Sequence, residues 1–210
     1  QGLQIAERAT QQALDHAKER IQSARAGAAD RSPAAIIEHP DVRRMLVRMR
    51  SLTEAMRGLL YYTAGQVDRG DIGDSAAAAR AEVLVPMLKA WATDTGIDVA
   101  SLGIQVHGGM GFIEETGAAQ HWRDSRIAPI YEGTNGIQAA DLVTRNLGLE
   151  DGQALQALFA DIARDAGDEA NLQALAGECA AIAKWMREEA SLDDRLAGSV
   201  PFTAMCAVAV

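Results

Sequence analysis

Apolar residues recur every three or four positions along most of this sequence, and nowhere do β-branched residues alternate with polar ones over a strand's length. That periodicity restricts the chain to helices that each bury one face. It is clearest from Pro40 onward, where Val42, Met45, Leu46, Met49, Leu52, Met56, Leu59, Leu60, Thr63 and Val67 share one stripe until Gly70 and Gly73 end it. An earlier helix is predicted from Gly2 to about Arg25 on the spacing of Leu3, Ala6, Ala9, Ala13, Ala17 and Ile21, with Ala26 to Pro33 breaking the pattern. A third runs from Asp74 or Ser75 to about Leu102, bent at Pro86, whose nitrogen has no hydrogen for the helix ladder. Beyond a glycine turn, helices are predicted over 117–127, 134–147, 151–166 and 170–190, and another begins at Pro201. The expected fold is all-α, an up-and-down helical bundle over residues 1–148 whose first helix is truncated, followed by extra C-terminal helices over 149–210, themselves cut short.

The 210 residues, 48% of them hydrophobic, suffice to bury a substantial core. With 20 basic against 29 acidic residues, a net charge of -9 and no basic run, nucleic-acid binding is not expected. The segment from Asp151 to Arg195 holds ten Asp and Glu against four Lys and Arg, which reads as a solvated helical face. Cys179 and Cys206 belong to no CxxC pattern, the histidines lack zinc-helix spacing, and the paired Glu-x-x-His motifs of a di-metal bundle are missing. No metal site is therefore expected. Nor is membrane insertion, because the apolar run from Phe202 to Val210 is too short to span a bilayer. The sequence opens on Gln1 already inside a helical pattern and closes within that apolar run, so both ends read as cuts through a larger protein.

Two segments carry residues suited to chemistry. The first is Gln105-Val106-His107-Gly108-Gly109-Met110-Gly111, where consecutive glycines let backbone N–H groups approach a phosphate or a flat ring closely. A plain helix-to-helix turn would also need glycine there. The second is Ile130-Tyr131-Glu132-Gly133-Thr134, which places a carboxylate in a short loop between Pro129 and Gly133, a setting from which a general base can reach a defined proton. An acidic residue beside a helix N-terminus would be stabilised there in any case. Thr134 suits the N-cap of the following helix. His107 and His121 have no orienting partner in the sequence and read as packed or solvated rather than as proton shuttles, and Met45, Met49 and Met56 as core or subunit contact.

Taken together, the two motifs resemble the C-terminal helical domain of the acyl-CoA dehydrogenase family, in particular its larger bacterial members with a helical C-terminal extension. The resemblance covers roughly Gly2 to Leu147 and is strongest over Gln105 to Gln138. It implies α,β-dehydrogenation of an acyl-CoA thioester to the trans-2-enoyl-CoA, with Glu132 taking the α-proton and FAD accepting the β-hydride. By the same resemblance Arg20, Gln105, Gly108, Gly109 and Thr134 are cofactor residues, while Tyr131 and Gly133 border the substrate. Two positions depart from the family's pattern. Gln22-Ser23-Ala24 stands where Thr-Phe-Gly is common, and Gly136 where a glutamine is common, which removes one aromatic and one polar contact to the nucleotide. Arg123-Asp124 matches a family pair read as a structural ion pair. The resemblance further implies a homo-oligomer, dimer or tetramer, electron-transfer flavoprotein as acceptor, and a bacterial cytoplasmic location. A non-catalytic helical oligomerisation module derived from the family is the alternative.

Overall fold

The computed structural model describes residues 1–210, and its contacts divide the chain into two units. Unit 1 holds Gln1–Arg57 and Ala92–Ala128; unit 2 holds Gly58–Trp91 and Pro129–Val210.

In unit 1, α1 (Gly2–Glu19) buries Leu3, Ala6, Ala9, Ala13 and Ala17, the face that its periodicity predicts. Small residues bring its neighbour close: a Cβ on Gly96 of α3 (Ser75–His107) would stand 2.9 Å from the Gly2 carbonyl oxygen. The helix stops at Glu19 rather than near Arg25. Arg20 turns extended, with φ -72° and ψ 114°, and its carbonyl accepts the Ile36 N–H at 2.8 Å. A two-stranded antiparallel ribbon follows, β1 (Ile21–Ala24) against β2 (Pro33–Ala35), and Ser23 at φ 60° lies where the register shifts. Cross-strand pairing has overridden the helical spacing here, so Ile21, expected on the buried stripe, is 56% exposed. After a 3-10 turn at Ile36–Glu38, α2 (Pro40–Asp71) buries Met45, Met49 and Met56 as its stripe predicts. A single turn, α4 (Gly109–Phe112), a 3-10 turn at Glu114–Thr116 and α5 (Ala118–Ser125) complete the unit. Helix α5 packs on α1, where Gln12 Nε2 donates to the Thr116 carbonyl at 2.5 Å.

In unit 2, α2 and α3 meet tightly at their connecting turn: a Cβ on Gly70 would be 3.0 Å from the Ala78 Cα. Helix α3 passes through Pro86 unbroken. Proline leaves the Glu82 carbonyl without its helical donor, and the Asn146 side-chain amide supplies one at 2.5 Å. The remaining elements are α6 (Asn135–Thr144), a 3-10 segment at Asn146–Gly152, α7 (Gln153–Asp165), α8 (Ala170–Glu188) and α9 (Leu192–Ala209). Leu84, Met87, Leu142, Leu155, Leu158 and Phe159 are almost wholly buried in one core. Each such side chain contributes about 1.5–3 kcal/mol. The unpaired thiols of Cys179 on α8 and Cys206 on α9 belong to this core and face one another, and burial pushes the Cys206 thiol up. Arg80 of α3 donates to the Tyr62 hydroxyl at 3.0 Å and pairs with Asp161 of α7 at 2.6 Å. Helix α9 begins nine residues before Pro201 because Ser191 caps it, accepting the Asp194 N–H at 3.1 Å. Proline is then simply carried inside the helix. The fold is all-α, as expected, and no helix is long and apolar enough to cross a membrane.

Candidate active site

The acid loop, 129–134, lies in unit 2 and is closed at its base by the Asn135 N–H, which donates to the Pro129 carbonyl at 3.0 Å. Pro129 is buried, and Thr134 caps α6 as expected, its hydroxyl accepting the Ile137 N–H at 3.2 Å. Between these anchors the chain turns left-handed twice, at Glu132 with φ 54° and Gly133 with φ 83°. The second is ordinary for glycine. The first is not, because a side chain at positive φ crowds its own backbone, and such residues concentrate where function requires them. Glu132 is exposed and takes part in no ion pair. Ile130 and Ile137, either side of it in sequence, are 52% and 54% exposed, whereas Tyr131 is half-buried.

Two side chains that the sequence reading did not single out hold this loop. The Lys89 ammonium, on α3, donates to the Gly133 carbonyl at 2.7 Å and to Asn135 Oδ1 at 3.0 Å. The Asn135 amide nitrogen in turn donates to the Ala90 carbonyl at 2.9 Å. No sequence spacing links residues 46 positions apart, so Lys89 had no signal. Asn135, directly after the Tyr-Glu-Gly-Thr run, could have been flagged by position.

The glycine turn lies in unit 1. Gly108 adopts φ 62°, and its carbonyl accepts the Gly111 N–H at 2.9 Å. A side chain on Gly111 would collide with the Ile104 carbonyl oxygen, while one on Gly109 would meet nothing. Gln105 is exposed on the last turn of α3. His107 is buried, its Nδ1 2.7 Å from the Gly103 carbonyl, and its ring stacks on His16 with centroids 4.3 Å apart. That stack brings the end of α1 to the turn, since His16 precedes the exposed Arg20 by one helical turn. Burial, then the charges of His107 and Arg20, hold the His16 imidazole below its ordinary range, with Glu19 opposing. His121 is lowered too, by burial and then by Arg8, and its Nε2 is 2.8 Å from Gln12 Oε1. Both contacts fit packed histidines. The expected pairing of Arg123 with Asp124 is corrected: Arg123 instead reaches Glu114, in the preceding 3-10 turn, at 3.1 Å.

The predicted residues therefore form two groups, Arg20, Gln105, Gly108 and Gly109 in unit 1, and Tyr131, Glu132, Gly133 and Thr134 in unit 2. None of them lines the apolar groove of about 470 Å³ between α1 and α2, which is bordered by Leu14, Ile37, Leu46 and Val47.

Known proteins resemble this chain in sequence and in fold. The family described as "Acyl-CoA dehydrogenase, C-terminal domain" matches residues 1–147. The 3-methylmercaptopropionyl-CoA dehydrogenase of Ruegeria pomeroyi is 52% identical over 166 residues, 77% of this chain and 28% of that protein. A butyryl-CoA dehydrogenase of Syntrophomonas wolfei is 35% identical over 157 residues, 71% of this chain and 25% of that protein. The chain thus spans about a quarter of the length of these relatives. The crystal structure of an acyl-CoA dehydrogenase complexed with FAD from Bacillus anthracis superposes with a TM-score of 0.76 at 20% identity, over 98% of this chain and 38% of that one, and so shares its fold. With the family match covering its first 147 residues and relatives of this similarity, the chain belongs to the acyl-CoA dehydrogenase family, to which it contributes the C-terminal helical domain.

Proposed function

We propose that this chain is the catalytic-base and oligomerisation part of an FAD-dependent acyl-CoA dehydrogenase that converts an acyl-CoA thioester to the trans-2-enoyl-CoA. The observation that carries the proposal is Glu132, an exposed carboxylate without an ion-pair partner, placed at φ 54° in a loop tied down on both sides. Nothing in the fold needs a carboxylate there, and glycine would take the same backbone more easily. In the reaction Glu132 removes the α-proton, made acidic by the thioester carbonyl, while the β-hydrogen departs with its electron pair. FAD, when bound, supplies the acceptor for that hydride. Tyr131 and Gly133 border the acyl group.

The residues present fit such a cofactor. Gly109 offers bare backbone that no neighbour within 4 Å requires, suited to the close approach of a diphosphate or a ring. Arg20, exposed at the end of α1, presents a guanidinium for a phosphate, and its only polar side-chain contact is a long one, 3.4 Å to Gln22. Gln105, Gly108 and the Thr134 hydroxyl complete the set. The protein works as a bacterial cytoplasmic homo-oligomer, dimer or tetramer, passing electrons to an electron-transfer flavoprotein, and residues 149–210 form a helical extension.

The test is anaerobic mixing of the full-length parent protein with 3-methylmercaptopropionyl-CoA, butyryl-CoA and longer acyl-CoAs while visible absorption is followed. Bleaching of bound flavin by one of them supports the reading and gives the substrate class. A colourless protein that also refuses added FAD would instead identify a helical scaffold.

A further inference from the structure

We infer that Lys89 is a positioning residue for the Glu132 carboxylate, tethering the acid loop to α3 together with Asn135; the inference rests on the reading of Glu132 as the base. The ammonium reaches two acceptors at once, the Gly133 carbonyl at 2.7 Å and Asn135 Oδ1 at 3.0 Å. Asn135 returns to the same helix through the Ala90 carbonyl at 2.9 Å, and its backbone N–H closes the loop onto Pro129 at 3.0 Å. The loop is thereby gripped on both its main chain and its exit, from two consecutive residues of one helix.

The grip falls where the backbone has most reason to move. Peptide groups are planar, and the Gly133 carbonyl sits one residue beyond Glu132, so fixing that oxygen limits how the left-handed pair Glu132 and Gly133 can turn. Glu132 itself is held by no contact of its own carboxylate. The backbone therefore fixes the point and direction from which the side chain departs. Release of the Gly133 carbonyl would let Glu132 relax from φ 54° toward the common negative-φ regions, and the carboxylate would swing with it. A charged donor suits the task, since hydrogen bonds from an ammonium are about twice as strong as neutral ones. It also explains why the tether comes from lysine, whose three hydrogens serve two separate acceptors.

A lysine that merely stabilises the fold would change melting temperature and spare the chemistry of the enzyme that remains folded. The experiment is therefore stopped-flow flavin reduction in the full-length, FAD-loaded enzyme carrying Lys89→Met, Lys89→Arg, Asn135→Ala or Glu132→Gln, with acyl-CoA affinity measured alongside. Lys89→Met is expected to slow reduction at saturating acyl-CoA by about a hundredfold, the cost of misplacing a catalytic group by an ångström, with affinity for acyl-CoA kept. Lys89→Arg should recover part of the rate. Wild-type reduction in Lys89→Met, or a loss confined to affinity, overturns the tether. If Lys89→Met does not fold, Asn135→Ala removes one acceptor and the Ala90 link and is judged by the same outcomes. Inert Glu132→Gln beside fully active Lys89→Met defeats only the tether, whereas active Glu132→Gln defeats the base assignment and the tether with it.

Discussion

The glycine turn and the acid loop both reverse the chain between helices, yet opposite means hold them. In the turn, the chain's own packing demands emptiness: Gly108 takes φ 62°, and Gly111 leaves room for the Ile104 carbonyl. In the loop, a residue with a large side chain occupies a conformation that glycine would adopt more readily, and Lys89 and Asn135 hold it there. A fold explains a glycine easily. It does not explain a glutamate at positive φ, so the departure from local ease is the better pointer to chemistry.

The largest expected effect separates the loop's function from its stability. Glu132→Gln should lower the rate of flavin reduction in the full-length enzyme by about 10²–10⁴, the range of a lost general base, while its melting temperature stays put. Next, Gly111→Ala should destabilise by about 1–3 kcal/mol through overpacking, seen as a lower denaturant midpoint. Gly109→Ala should stay within about 0.5 kcal/mol of wild type and yet weaken FAD retention, measured by flavin release on dilution. Equal destabilisation by both alanines would erase the distinction between a glycine needed by the fold and one kept for a ligand. Smaller than the Gly111 loss, Glu132→Gly should raise stability by up to about 1 kcal/mol as the left-handed strain is relieved, in an inactive protein. A loss of stability would mean the loop is not strained.

The gentlest contrast is in pH. All four histidines lie in unit 1, and His16 and His121 are both lowered in the folded state. A lowered histidine binds its proton more readily when unfolded, so folding stability is intact above the unfolded value of about 6.5 and is lost progressively as pH falls below it. Amide exchange, corrected for its intrinsic pH dependence, should therefore rise across 103–117 before 129–138 as pH is taken from neutral to 5.5. His16→Gln should blunt that order. Simultaneous opening of both segments would remove the pH contrast.

Much of this was legible because helical burial leaves a local, periodic trace. The stripe on α1 from Leu3 to Ala17, the methionine row of α2 and the Thr134 cap follow directly from spacing. At the end of α1 a partner distant in sequence overrode the local pattern. Ile21 leaves the helical pattern because Ala35 pairs with it; Pro86 lies inside α3 as expected, but the Asn146 amide that takes up the carbonyl it orphans left no trace in the spacing. The start of α9 is different: Ser191 three residues before Asp194 was a readable cap, eclipsed by the stronger prior that Pro201 opens a helix. In the site, motif residues could be read off, but Lys89 and the His16 stack exist only in three dimensions.

Cys179 and Cys206 give the C-terminal helices a built-in clock. Both thiols are wholly excluded from solvent, and no disulfide joins them. An alkylating reagent can reach them only in molecules whose packing around α8 and α9 has opened, so labelling reports on those openings and needs no introduced probe.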